Sequence, residues 1–470
     1  MSIRLLSDPR AFIGRVPFWR TLTAPQLFVG SFLLLIVLGT IGFKTLPGLY
    51  VGPELSWLDA LFTATSAVCV TGLIVVDTAT FFTSWGQAYI LLLIQLGGLG
   101  IITFTSLIIT ALGLRLSLRH ETMARSTADV APHIDHRRLT RDVILFTFLA
   151  ELTGMLLLYL LWIPEFGFTG AVWPAVFHAI SAFCNAGFST FSDSLMGFWA
   201  DPLLLSVVMV LIVIGGIGFL VLEELYLLRK ATVKGPLFRL SLHSRIALVT
   251  TAVLLLGGWL LLTLFEWNAT LGDMPLGHKL VNGLFMSVTA RTAGFNTVDY
   301  SLAANNANFL TILLMSIGGS PGSTAGGLKT TTFALIGLVA WSRMRGYEIV
   351  HVAGRSVPEG TVQRSIGLFV VVFGLVTVAI FVFTSSEFAW VGSADAGSFL
   401  PVMFEAVSAF NTVGLSMGVT GALSETGRVT TILLMFLGRV GPLTFAAALA
   451  RHRAKGAGPF HYTYEDVGIG

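Results

Sequence analysis

Charged side chains are scarce in this sequence, at 11% of 470 residues, while hydrophobic ones make up 54%. A soluble domain carries roughly 25% charge, so a water-exposed globule of this length is excluded and a polytopic membrane protein is implied. Cysteine is nearly absent. The two present, Cys69 and Cys184, have no local partner motif, which speaks against a disulfide framework or a thiolate metal site. The chain also lacks a helix-borne nucleophile and base pair and any metal motif, so an intramembrane enzyme has nothing to work with. The net charge of +3 says little alone, because in a membrane the placement of cations is what matters.

What the sequence does have is a repeat. Ser66-Ala67-Val68-Cys69-Val70-Thr71-Gly72-Leu73 returns as Ser181-Ala182-Phe183-Cys184-Asn185-Ala186-Gly187-Phe188, as Val288-Thr289-Ala290-Arg291-Thr292-Ala293-Gly294-Phe295 and as Ser408-Ala409-Phe410-Asn411-Thr412-Val413-Gly414-Leu415. The four glycines are 115, 107 and 120 residues apart, and a Gly-Gly or Gly-Arg pair follows each after 25, 28, 24 and 24 residues. Cys69 and Cys184 are equivalent positions of this repeat and read as small wall residues. Each copy follows a short apolar segment set between two long ones, giving a unit of span, half-span, glycine turn and span. The predicted fold is therefore an all-α polytopic membrane protein, with four parallel M1, pore helix and M2 repeats around a central pore, eight spans and four re-entrant loops. The repeats occupy 25–112, 141–229, 245–342 and 364–450, between an N-terminal segment 1–24 and a tail 451–470.

Within repeat one, Gln26 to Phe43 is a span. No small-residue cleavage site follows it, which argues against a signal peptide. Ser56 can cap a half-span from Trp57 to Val68, whose twelve residues reach roughly 18 Å at about 1.5 Å each, too short for a core of about 30 Å. It must enter and turn back. A full span, Tyr89 to Leu114, follows. Repeat two has Val143 to Ile163, Trp173 to Cys184 and Pro202 to Leu228; repeat three has Ile246 to Trp267, Leu276 to Thr289 and a span from near Phe309 interrupted at Gly318 to Gly327; repeat four has Ile366 to Phe388, Phe399 to Phe410 and Val429 to Leu449. Of the 28 Lys and Arg, 22 lie at the termini or between repeats. By the positive-inside rule both termini are cytoplasmic and all four half-spans enter from outside.

Two spans per repeat return the chain to its starting side, so the copies are parallel, unlike the inverted repeats of many carriers. Four glycine turns at membrane depth require a wet axis. Helix C-termini aimed at that axis favour a cation. The carbonyls of Val70, Thr71 and Gly72, of Asn185, Ala186 and Gly187, of Thr292, Ala293 and Gly294, and of Thr412, Val413 and Gly414 can then stack as rings that replace a cation's water.

Below these loops the repeats are unequal. Repeats one and two are expected to carry an unbroken Gly-Gly helix; repeat three has instead Gly318, Gly319, Ser320, Pro321, Gly322, Ser323 and Thr324 running on to Gly327; repeat four has Arg439. Such a stretch must line or plug the wet cavity. Arg439 is too deep to snorkel and needs acceptors, either the loop's carbonyls or a buried acid such as Glu151. The expectation is that loop and arginine close the pore. Arg291 is expected to brace the third filter loop through its carbonyls. Gly97, Gly98, Gly215 and Gly216 read as close helix packing. Asp77, Asp193 and Asp299 either concentrate cations at the outer mouth or cap turns. Glu223 and Glu224 read as an interfacial charge pair with Arg229 and Lys230, and His178 and Glu405 as filter support.

These loops, Thr71-Gly72-Leu73, Ala186-Gly187-Phe188, Arg291 to Thr297 and Val413-Gly414-Leu415, resemble the Trk/Ktr/HKT superfamily of potassium transporters over about residues 25–450, including the broken third M2 and the arginine in the fourth. The chain starts at the first repeat, without the extra hairpin of Trk subunits, so it looks most like the KtrB-type membrane subunit. Ala290 departs from the proline of many relatives. The resemblance implies K+ at the filter residues, possible sodium dependence, and potassium preference from glycine in all four loops. It implies a homodimer in the inner cell membrane, seated on a cytosolic RCK-type ring (KtrA/TrkA-like) that binds nucleotide and moves the loop aside. The polar tail Tyr464 to Gly470 is a candidate contact for that ring. No cofactor in this chain and no nucleic acid are implied.

Overall fold

The computed structural model describes residues 23–100, 136–234, 240–347, 349–352, 354–391 and 399–449. The N-terminal segment, most of the first inter-repeat loop and the C-terminal tail lie outside them. Helix α1 (Ala24–Thr45) starts at Thr23, whose N–H donates to the Gln26 side chain at 2.9 Å. Helix α2 (Trp57–Val68) is capped by Ser56, whose hydroxyl accepts from the Asp59 N–H at 3.1 Å. Then come α3 (Ser84–Gly98), α4 (His136–Gly170), α5 (Val172–Phe183), α6 (Pro202–Ile217) and α7 (Phe219–Lys234). They are followed by α8 (Leu242–Phe265), α9 (Leu276–Thr289), α10 (Asn305–Met315), α11 (Thr330–Met344) and α12 (Glu359–Val391). The described residues end in α13 (Phe399–Phe410), α14 (Glu425–Val440) and α15 (Pro442–Leu449). A two-residue hairpin, β1 (His351–Val352) and β2 (Arg355–Ser356), joins α11 to α12.

Four of these helices, falling in α1, α4, α8 and α12, are long and apolar enough to cross a membrane, and α6 with α7 makes a fifth if the bent pair counts as one span. Their outer faces carry exposed side chains such as Leu145, Leu149, Leu152 and Leu156 of α4, suited to lipid. The four short helices α2, α5, α9 and α13, of 12, 12, 14 and 12 residues, bury most of their side chains instead. Helix α3 packs on α5, α6 on α9, α10 on α13, and α14 on α2. Each repeat's second helix thus supports the next repeat's short helix, and the fourth closes onto the first.

The expected unbroken second helix of repeat two is not what forms. Helix α6 stops at Ile217 and α7 leaves at 98°. Gly218 sits at φ 96, open only to glycine at low cost, and the Phe219 N–H donates across to the Gly322 carbonyl at 3.1 Å instead of continuing the α6 ladder. Repeat four breaks likewise at Gly441, φ 84, where Pro442 has no N–H to offer. In repeat one, α3 ends at Gly98, Gly100 takes φ 64, and the predicted remainder of that span from residue 101 to Leu114 lies outside the described residues. Helix α4 runs beyond the predicted Val143 to Ile163 and bends at Gly167, φ 72.

Candidate ion-conduction site

The four loops share one backbone conformation. The residue two before each glycine is left-handed, with φ 56 at Val70, 59 at Asn185, 67 at Thr292 and 51 at Thr412, and the glycines follow at φ 93, 70, 81 and 89. For β-branched residues such a φ costs about 1–3 kcal/mol and persists only where the surroundings impose it. Here hydroxyls at the end of each short helix do so. Ser66 donates to the Leu73 carbonyl at 2.7 Å and Ser181 to that of Phe188 at 2.8 Å, Thr289 to that of Phe295 at 2.5 Å, and Ser408 accepts from the Gly414 N–H at 3.1 Å. Repeat three is one residue shorter in this turn: the Ala293 N–H closes on Thr289, four back, whereas Thr71, Ala186 and Val413 close on serines five back.

The loops meet in a ring. A β-carbon on Gly72 would strike the Ala186 carbonyl, on Gly187 that of Ala293, on Gly294 that of Val413, and on Gly414 that of Thr71. The order runs once round and closes, so the twelve residues singled out in the sequence stand together. Their glycines are required twice, by φ and by the neighbour's backbone. The second glycine landmark has the same cause, since β-carbons at Gly97, Gly215 and Gly438 would run into the carbonyls of Val68, Phe183 and Phe410 at the short-helix ends.

His178 and Glu405 support loops. His178 Nε2 lies 2.9 Å from the Ser189 hydroxyl, and Glu405 accepts from Ser416 at 2.9 Å and from Thr420. Both serines stand two residues after their glycines. Arg291 differs from expectation: its Nη2 donates at 2.8 Å to Gly318, in the broken helix below, and not to a carbonyl of the third glycine loop. The turn is closed by the Arg291 and Ala293 N–H groups on Val288 and Thr289, leaving the guanidinium to reach Gly318.

The segment between α10 and α11 passes directly beneath. Ser320 and Thr324 N–H groups donate to Gly216 and Gly215 at 3.0 and 3.2 Å, the Thr324 hydroxyl to Phe183 at 3.2 Å, and the Leu328 N–H to the Asn411 side chain at 3.4 Å. It therefore runs from under the second glycine loop to under the fourth, and a β-carbon on Gly326 would collide with Thr412. Arg439 donates to the Thr324 carbonyl and, through Nη2 at 2.8 Å, to Gly97. The carbonyl acceptors are the partners, and Glu151 instead accepts from Gln95 at 3.1 Å and faces Cys184.

Two further sets of residues went unread in the sequence. Lys329 donates to Ala325 at 2.6 Å, and a lysine after Gly326-Gly327 in an apolar span was the available signal. Arg428 of α14 pairs with Asp59 of α2 at 2.6 Å where the ring closes, which no local pattern announces. Asp77 and Asp299 accept from the N–H groups of Ala79 and Ser301 at 3.0 and 2.8 Å, so they cap turns, and Asp77 also accepts from Ser192 at 2.6 Å. Glu224 accepts from the Ser241 N–H at 3.0 Å. Among the described residues no group of His, Cys, Asp or Glu could hold a metal ion, and both cysteines are free. The backbone oxygens are the ligands on offer.

Comparison with known proteins fits this geometry. The chain is 40% identical over 429 residues to the Ktr system potassium uptake protein B of Vibrio alginolyticus, covering 91% of each chain. It is 35% identical over 453 residues to the potassium/sodium uptake protein NtpJ of Enterococcus hirae, covering 96% of this chain and 98% of that one. The crystal structure of the potassium transporter TrkH from Vibrio parahaemolyticus shares the fold, with a TM-score of 0.68 at 20% identity over 90% of this chain and 83% of the other. The TrkH family, described as cation transport proteins, matches residues 29–455, and the chain belongs to that family of membrane transporters, not to an enzyme family.

Proposed function

We propose that this chain carries out potassium uptake through a channel-like pore of eight spans and four re-entrant loops. The carrying observation is the closed ring of loops at Gly72, Gly187, Gly294 and Gly414, each pressed on the next loop's carbonyl. Such a ring offers stacked backbone oxygens to a dehydrated cation. Relatives named for potassium uptake point to K+ as that cation, and the one named for potassium and sodium makes sodium a second variable. The segment from Gly318 to Thr324, with Gly319, Ser320, Gly322 and Ser323, is the gate, held shut by Arg439. An RCK-type regulatory ring with bound nucleotide opens it from the cytosolic face, in line with relatives named as one component of a Ktr system. The assembly is a homodimer in the inner membrane with both termini inside. Asp77, Asp193 and Asp299 ring the outer mouth.

Rubidium flux into liposomes, with and without sodium, tests the pore. Uptake down a rubidium gradient alone supports it; uptake only when coupled to a second ion gradient would replace it with an alternating-access carrier for Na+ or another solute. Native mass in detergent showing only monomers would count against the dimer.

A further inference from the structure

Arg291 occupies the place held by Cys69, Cys184 and Asn411 in the other repeats, three residues before the filter glycine. It is 7% exposed. Its Nη2 is taken by Gly318, but Nε and Nη1 find no acceptor, and among the described residues no carboxylate pairs with it. An unmade hydrogen bond on a buried group costs about 1–3 kcal/mol, more when the group is charged, and an uncompensated buried charge costs more again. Arg439 is in a different position, with both terminal nitrogens on carbonyls.

Beside Arg291 lies a cavity of about 20 Å³, lined by Val213, Gly216, Thr251, Leu255 and Gly319. That is room for one particle of about the size of a water molecule. Water there would satisfy the two N–H groups and leave the charge; a monatomic anion would do both. A cation is repelled, and a carboxylate or phosphate is too large. We propose that Arg291 binds a single halide-sized anion, chloride in the cell, in this cavity. The anion neutralises the arginine under the third filter loop and braces Gly318 and Gly319 at the head of the gate segment.

The test is a thermal unfolding series on the purified full-length protein in detergent, at fixed K+ and ionic strength, with chloride replaced stepwise by gluconate, which cannot enter. The wild type should gain Tm with chloride, rising with the logarithm of its concentration above Kd, and bromide should substitute. Arg291→Gln should lose this dependence. Thr251→Met, which fills the cavity and leaves the arginine in place, should lose it too and covers the case in which Arg291→Gln does not fold. Excess 35Cl NMR line broadening by the wild type, relieved by bromide, is the direct readout. A wild-type Tm indifferent to chloride, or equal chloride dependence in Thr251→Met, would overturn the proposal, with water left as the occupant.

Discussion

The four glycine loops and the layer directly beneath them come from the same four repeats, yet they treat the repeat in opposite ways. Above, four segments with different side chains hold one conformation, left-handed at Val70, Asn185, Thr292 and Thr412 and glycine two residues on. Below, repeat two bends at Gly218, repeat three opens into a glycine-rich crossing and repeat four presents Arg439. A ring of equivalent carbonyls needs equal backbones and tolerates unequal side chains. A single segment crossing beneath four loops cannot be fourfold, so the other repeats must shape themselves to it.

Breaking the upper layer should have the largest effect. Gly72→Ser places a β-carbon against the Ala186 carbonyl at φ 93, and strain of roughly 1–3 kcal/mol at one ring corresponds to about a 5- to 150-fold fall in K+ preference over Na+. Reversal potentials in a K+/Na+ gradient measure it, and an unchanged ratio in a conducting mutant would remove the filter assignment. Breaking the lower layer should alter flux and spare selectivity. Arg439→Ala, or deletion of Ser320 to Ala325, is expected to raise rubidium flux without the regulator by about tenfold, since each removes a charged hydrogen bond of about 1.5–3 kcal/mol or the segment that accepts it. Flux that falls in both, with the protein assembled, would refute the gate. Gly218→Ala sharpens the comparison: its β-carbon meets the Pro321 carbonyl, so the crossing should shift and regulator-free flux rise about fivefold, on roughly 1 kcal/mol of strain. An unchanged flux would show that the bend does not support the plug. The smallest effect belongs to the ring closure, where Arg428 and Asp59 keep 24% and 18% side-chain exposure. A double-mutant cycle of Arg428→Gln and Asp59→Asn should return about 0.5–1 kcal/mol in unfolding and little change in selectivity.

The upper layer was legible because its signals are local. A glycine, a short-helix hydroxyl five or six residues earlier and an apolar segment of half-span length are all read within one copy, and repetition separates them from chance. Ser66 and Thr71, Ser181 and Ala186, and Ser408 and Val413 form the same backbone contact through the same five-residue spacing. The lower layer was legible only in composition. The glycines from Gly318 to Gly327 marked a broken helix, but the break at Gly218 depends on Gly322 of another repeat accepting from Phe219. Nothing within Gly215 to Gly218 distinguishes it from a packing motif.

By itself the sequence determined the membrane class, the four copies, the glycine turns and the place where the pattern fails, because hydrophobic length and backbone freedom are properties of short segments. Only the tertiary structure decided that the ring closes in chain order, that Arg439 reaches Thr324 and Gly97 and not Glu151, and that Arg291 reaches Gly318 with two donors left over. Those choices turn on which acceptor lies within about 3 Å of a long side chain. That distance is fixed by helices from different repeats packing together and by no single stretch of chain.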